Sequence, residues 1–300
     1  MSEPHILLSG LLLGESPRWH ENRLWFCNWG AQEIIAVALD GASEVVTHDP
    51  ESSPHSIAWL PDGRQLIVPG VVDPRGRLLR REPDGSLVPH TDLSSLPSGF
   101  NEIVVDGRGN IYVNGAAFNF MAFLEAVQRD GPDALQVPWH ERPEFVPGYI
   151  ALITPDGAVR QVAEDIAFPN GMVVTPDNAT LIISESFAGR LTAFAIAADG
   201  SLSHRHVWAE GIGPDGICMD AEGAVWTSSG GTACIRVREG GEIVQRIELD
   251  RSPFACMLGG PDRRTLFIMA AQWNMANPFG GPRTGQVLTV PAPAPGVGWP

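Results

Sequence analysis

Six short apolar segments of the chain open on Glu15, His55, Asn101, Asn170, Asp215 and Phe254. Five of these six residues are polar. Two carboxylates, two amides and an imidazole buried in one space would cost several kcal/mol per uncompensated charge. Two arrangements relieve that cost. A hard divalent cation would take the carboxylate and amide oxygens, and Ca2+ accepts roughly six to eight of them in a flexible shell. A hydrogen-bonded polar plug would do so without an ion. Nothing resembles the usual zinc cluster: Cys27, Cys218, Cys234 and Cys256 are scattered, lack a CxxC pair and read as reduced, mostly buried thiols. His204 and His206 form an HxH pair that reads as solvated, and His140-Glu141 lacks the HExxH spacing.

Composition removes other chemistries. Twenty basic residues against thirty-five acidic give a net charge of −15, which disfavours nucleic acid and anionic membranes as partners. Every basic residue is an arginine, so Schiff-base chemistry, a pyridoxal phosphate anchor and a P-loop lysine are all absent. There is no GxSxG elbow or EF-hand loop. No apolar run is long enough to span a bilayer, and MSEPHILLSG lacks the character of a secretory signal. These features predict a cytoplasmic protein.

The elements that must position the six residues repeat with them. GESPRW, PHSIAWLPDGRQLIV, NEIVVDGRGNIYV, NGMVVTPDNATLII, DGICMDAEGAVW and FACMLGGPDRRTLFI each hold one anchor, a short apolar strand and a turn. A second apolar strand follows, and then a further hairpin with a tip such as Asp40-Gly41, Asp84-Gly85, Asp156-Gly157 or Asp199-Gly200. Four strands per unit, with anchor spacings of 40, 46, 69, 45 and 39 residues, predict an all-β, six-bladed propeller spanning 1–300 as a single domain. The last unit lacks an outermost strand, and Ile6 to Leu8 could supply it. Trp19, Trp59 and Trp226 recur at blade positions and read as inter-blade packing. The tail PAPAPGVGWP reads as a flexible, extended end.

The third unit carries a surplus between 116 and 148. FNFMAFLEAVQRDG within it is the helix-like stretch, and PWHERPEFVPG reads as loop. Its side chains Phe118, Phe120, Met121, Phe123 and Leu124 are too many apolar groups for a solvated loop. A lid forming an apolar wall of a substrate pocket would use them. A satellite helix on the rim or a homodimer contact would do so too.

GESPRW, FPNGMVVTPDN and PDGICMDAEGAVW, in this order, resemble the senescence marker protein/gluconolactonase/luciferin-regenerating enzyme family, to which regucalcin-like proteins belong, over essentially the whole chain. The resemblance implies a six-bladed propeller with one divalent metal in its channel, commonly Ca2+ with Mg2+, Mn2+ or Zn2+ as alternatives, and hydrolysis of lactones. It places the metal ligands at Glu15, Asn170 and Asp215, with Asn101 at or near the metal. Two departures point away from a sugar lactone. Gly99 stands where members acting on sugar lactones carry arginine, and the insertion falls where the family's acidic sugar contact would be. His55 resembles instead a channel histidine of the paraoxonases.

The resulting expectation is metal polarisation of a lactone carbonyl and attack by an activated water, on a substrate more apolar than a sugar lactone. Asp215 is the family's candidate for the general base. His55 is the second candidate, since an ordinary imidazole titrates near neutrality, and it could equally only position a ligand. Asn101, Phe118, Phe120 and Trp273 are candidate substrate contacts by loop position. Glu102, next to Asn101, is expected to point away from the channel, and Glu185 could reach its mouth. Two other functions remain open: a Ca2+-binding regulatory or binding propeller without turnover, and another metal-assisted hydrolysis such as phosphotriester cleavage.

Overall fold

The computed structural model describes residues 3–70, 76–131, 137–142 and 144–300. Within the surplus of the third unit, residues 132–136 and 143 lie outside the described residues. Six antiparallel sheets surround one axis in chain order, and the chain is a six-bladed β-propeller. Blade 1 is Leu13–His20, Arg23–Trp29, Glu33–Val37 and Ser43–His48; blade 2 is Pro54–Trp59, Gln65–Pro69, Arg77–Arg81 and Leu87–Asp92. Blade 3 is Phe100–Val105, Ile111–Gly115, Gly148–Ile153 and Val159–Ile166, and blade 4 is Pro169–Val174, Thr180–Glu185, Arg190–Ile196 and Leu202–Glu210. Blade 5 is Cys218–Asp220, Val225–Ser228, Ala233–Val237 and Ile243–Glu248. Blade 6 is Ser252–Gly259, Thr265–Ala271 and Gly285–Pro291, and its outermost strand is His5–Leu11 from the start of the chain, paired to Gly285–Pro291. That pairing closes the ring and leaves no blade short of a strand.

First strands of neighbouring blades touch one another, so each blade's first strand lies innermost. The strands are short apolar runs between turns that favour reversal: Gly85, at φ 86°, donates its N–H to the Glu82 carbonyl at 2.9 Å. Both faces of each sheet are covered by neighbouring blades, and Phe26, Trp226 and Phe267 are fully buried between them. Each such ring contributes on the order of 2–3 kcal/mol. Trp19 stacks on Phe267 at 5.5 Å, and Trp59 meets the edge of Trp25 at 5.5 Å. All four cysteines are buried and free.

The tail departs from the expected flexible end. Gly296–Val297 adds as a fifth strand to the inner strand of blade 5, and Trp299 exchanges two backbone hydrogen bonds with Val174 of blade 4 at 2.8 and 2.9 Å. Prolines 291, 293 and 295 hold this segment extended, and the bends between them aim its free N–H groups at blade edges. The tail therefore straps blades 6, 5 and 4 together on the face of the first-to-second strand turns.

The opposite face carries the second-to-third strand loops, and the surplus of blade 3 is one of them. Its described residues include the α-helix α1 (Phe120–Asp130), capped by the Asn119 carboxamide oxygen, which accepts from Ala122 N–H at 3.0 Å. Phe120, Phe123, Leu124 and Val127 fall on one stripe at helical spacing and pack against Phe118, Phe187 of blade 4 and Met275 of blade 6. Gln128 Nε2 donates to the Met275 carbonyl at 2.8 Å. The helix thus leans across the ring from blade 3 to blade 6. No helix among the described residues is long and apolar enough to cross a membrane.

Candidate functional site

All six anchors line one cavity of about 800 Å3 at the loop face. Five blades bring Glu15, His55, Asn101, Asn170 and Asp215 to its floor, and Phe254 comes from the sixth. The inner strands achieve this by breaking their own pleat. The register slips between Glu15 and Arg18, Pro54 and Ser56, Phe100 and Ile103, Pro169 and Met172, and Pro253 and Ala255. A slip at this point in a strand re-aims the side chains beside it. Ser16, beside Glu15, takes φ 51°, a conformation uncommon outside glycine.

Main-chain contacts fix the floor. Ser184 Oγ donates to the Asp215 carbonyl at 2.6 Å, and Asp215 N–H donates to Thr227 Oγ1 at 3.2 Å. Asn114 Nδ2 donates to the Asn170 carbonyl at 2.6 Å, and Asn101 Nδ2 donates to the Pro169 carbonyl at 2.9 Å. Trp29 stacks on the His55 ring at 3.7 Å and donates its Nε1–H to the His55 carbonyl at 2.7 Å.

The electrostatics of the floor are those of anions confined together. Burial pushes the Asp215 carboxyl up to about 7; the Asn170 side-chain hydrogen bond opposes this and the Glu102 carboxylate adds to it. Burial, followed by repulsion from Asp215 and Glu102, raises Glu15 well above the carboxylate range. His55 is pushed down to about 4 by burial, against a hydrogen bond to Asn101, and is neutral near pH 7. Among the described residues, no three His, Cys, Asp or Glu side chains converge as a metal cluster. What converges is a mixed set, two carboxylates with Asn170 and Asn101 amides. Such a set suits a hard, oxygen-preferring cation, which would offset the burial and the repulsion that now raise both carboxyls. The donor chemistry fits a divalent ion of the Ca2+ type.

Glu102 corrects the sequence expectation. Its side chain turns inward and lies buried beneath the floor. Glu102 Oε1 accepts from Arg18 Nη2 at 2.8 Å, from Ser16 Oγ at 3.1 Å, from Ser56 Oγ and from the Ile103 N–H at 2.8 Å. The register slip at Phe100–Ile103 is the reason that neighbours 101 and 102 both face the axis. Glu185 does not reach the mouth. It is fully buried in blade 4, where Arg190, Arg205, Thr192 and the Ala167 N–H hold it. His204 and His206 are exposed on the outer strand of blade 4.

Phe118, Phe120 and Trp273 line the upper cavity with Asn101 at its base. The structure adds Trp29, Phe168 and Phe279, which sequence reasoning did not single out. Phe168 opens the FPNG motif and offered a signal; Phe279, in a loop followed by two glycines, offered none. Gly99 has φ 90°, and a Cβ there would lie 2.1 Å from the Ala116 carbonyl oxygen. The position of the sugar-lactone arginine is therefore closed to any side chain by the backbone itself.

The sequence signature described as an SMP-30/Gluconolactonase/LRE-like region matches residues 13–272. Regucalcin of Xenopus laevis is 28% identical over 150 residues, 45% of this chain and half of that protein. Diisopropyl-fluorophosphatase of Loligo vulgaris is 25% identical over 276 residues, covering 85% of this chain and 82% of the relative. The solved structure of a gluconolactonase from Xanthomonas campestris superposes with a TM-score of 0.70 at 24% identity, over 96% of this chain and 88% of that one.

Proposed function

The chain belongs to the SMP-30/gluconolactonase/LRE-like family, and from that premise we propose that it is a divalent-metal-dependent hydrolase that opens lactones, its substrate more apolar than a sugar lactone. One observation carries the reading: polar anchors from five blades form the floor of a cavity whose upper wall is aromatic. Glu15, Asn170 and Asp215 would hold the ion, with Asn101 beside it. A bound cation would supply Lewis acidity toward the carbonyl oxygen and an acidic water. Asp215 is the base of first choice, because its carboxyl reaches the floor beside Glu15 and Asn170, where the ion and its water would sit. It would take the proton of the attacking water as the acyl C–O bond is replaced by a C–OH bond, and the ring alkoxide leaves protonated. His55 is the second choice; neutral and stacked on Trp29, it also suits the orientation of Asn101. Helix α1 would close the mouth and keep bulk water from the floor.

The test is acid release from a panel of γ- and δ-lactones and gluconolactone, followed in a pH-stat on chelator-stripped protein with and without Ca2+, Mg2+, Mn2+ or Zn2+. Metal-restored turnover that is lost in folded Asp215→Ala and Asn170→Ala variants supports the reading. Full activity in either variant would refute it. Silence across the panel, with melting still raised by Ca2+, would favour a binding propeller. The squid relative gives phosphotriester cleavage a specific claim as the second reading, and diisopropyl fluorophosphate belongs in the same panel.

A further inference from the structure

The upper cavity is asymmetric. Blades 2 and 3 offer it small residues: Gly70, Ser98, Gly99, Ala116 and Ala117. Facing the axis from the insertion and blades 4 and 6 are aromatic rings, and they form a connected collar. Phe120, the first residue of α1, is its hub. Its ring centroid lies 5.7 Å from Phe168 of blade 4, 6.5 Å from Trp273 and 6.4 Å from Phe279 of blade 6, and 6.5 Å from Phe118. Phe254 continues the collar 5.4 Å beyond Trp273.

The rings are tilted by 31° to 58° around the hub, so the collar offers both faces and edges. Phe118 and Phe120 are only half-buried, and the surface left uncovered looks into the cavity. Tilted and offset contact is what aromatic pairs prefer over a face-to-face sandwich. Alkyl chains need no such arrangement; packed aliphatic side chains would serve them. Across from the collar, the close backbone approach at Gly99 excludes a side chain there, and its neighbours Ser98, Ala116 and Ala117 are small. Tilted rings facing small residues bound a slot for a flat guest.

We propose that this slot selects substrates whose variable part is a planar aromatic or fused ring, which stacks against Phe120 while the reacting carbonyl sits over the floor. Phe120 and Trp273 are the specificity-determining residues. The inference takes the reacting group from the hydrolase reading above; the ring site itself stands apart from turnover, and the experiment separates the two.

Wild type, Phe120→Leu and Trp273→Leu are compared on γ-phenyl-γ-butyrolactone and γ-hexyl-γ-butyrolactone, two neutral lactones with six-carbon substituents. Phe120 also packs the helix, so the Trp273 variant, altered in a loop, provides a second reading, and circular dichroism and melting certify both folds. Binding of the non-hydrolysable 5-phenyl-2-pyrrolidinone is followed by quenching of tryptophan fluorescence in chelated protein. The expected result is a kcat/KM preference for the phenyl lactone that falls about three- to tenfold in either variant, carried by KM, with lactam binding weakened to match. Turnover that is indifferent to phenyl against hexyl, or variants that lower both alike, would overturn the ring slot while leaving the hydrolase intact. No turnover of any lactone, with saturable lactam binding weakened in both variants, would sustain the slot and remove the hydrolase. Absence of saturable lactam binding to folded wild type would overturn the slot outright.

Discussion

Asp215→Asn should stabilise the metal-free protein at alkaline pH even as it removes the proposed base. The Asp215 carboxyl has its titration moved from 3.8 to about 7 by burial first, with Glu102 adding to it. Below pH 4 the group is protonated in both folded and unfolded chains, and it costs the fold nothing. Between pH 4 and 7 the unfolded chain gives up its proton while the folded chain keeps it, so stability falls as pH rises. Above 7 the full difference is felt, on the order of 4 kcal/mol at ~1.4 kcal/mol for each pKa unit. Asparagine keeps an oxygen to accept from Asn170 and from the Gly216 N–H, and it never ionises. At about 2 °C per kcal/mol for a chain of this size, the variant should melt as much as about 8 °C higher than the parent at pH 8. The gap should narrow to about 2 °C by pH 4.5. Differential scanning calorimetry in EDTA between these two pH values measures it directly. Saturating Ca2+ should reverse the order at pH 8, because only the parent keeps its full ligand set. Equal melting of the two proteins at pH 8, or a gap of the same size at pH 4.5, would show that confined charge is not what strains this floor.

Gly99→Arg should not create a gluconolactonase. A Cβ at 2.1 Å from the Ala116 carbonyl and a φ of 90° make it destabilising by about 2–4 kcal/mol, read as a fall in denaturation midpoint with no gain on gluconolactone. Deleting residues 294–300 removes the backbone bonds from Ala221 to Pro295, from Gly296 to Arg263 and between Trp299 and Val174. At about 0.5–1.5 kcal/mol each, the loss is about 2–6 kcal/mol of stability, measured by urea titration. KM for the best lactone should be unchanged, since the strap lies on the face away from the cavity; a raised KM would show that the two faces are coupled.

Most of the ring was legible because it rests on local chemistry repeated six times. Turn residues at each hairpin and one anchor per unit are enough to count blades, and the missing outer strand of the last unit called for Ile6 to Leu8. The tail was misread because its pairing partners, Met219 and Val174, lie about 80 and 125 residues away in sequence and leave no trace in its composition. Glu102 was misread through a sound rule used where it does not hold. Strict alternation puts neighbours on opposite faces, but the inner strand slips register at 100–103, and no local signal in NEIVV announces it.

The slips recur, and together they explain how one floor is carried by different blades. Beneath the anchors lies a second layer made of the residues that follow them: Ser16, Ser56 and Glu102 in blades 1 to 3, and Gly171, Gly216 and Ala255 in blades 4 to 6. On the first side polar atoms join three blades through a single carboxylate oxygen, Glu102 Oε1, with Arg18 as its counter-charge. On the second side there is no space for a side chain larger than the Ala255 methyl. A Cβ at Gly171 would lie 2.6 Å from Ile217 N, and one at Gly216 would lie 2.5 Å from the Ala255 Cβ. Half of the layer is fixed by hydrogen bonds and half by backbone contact. The arrangement commits Arg18 to Glu102, and its attraction offsets only part of the burial and repulsion that raise Glu15. The floor is left with carboxylates that are strained when unpaired, and relief of that strain is free energy available to a divalent ion.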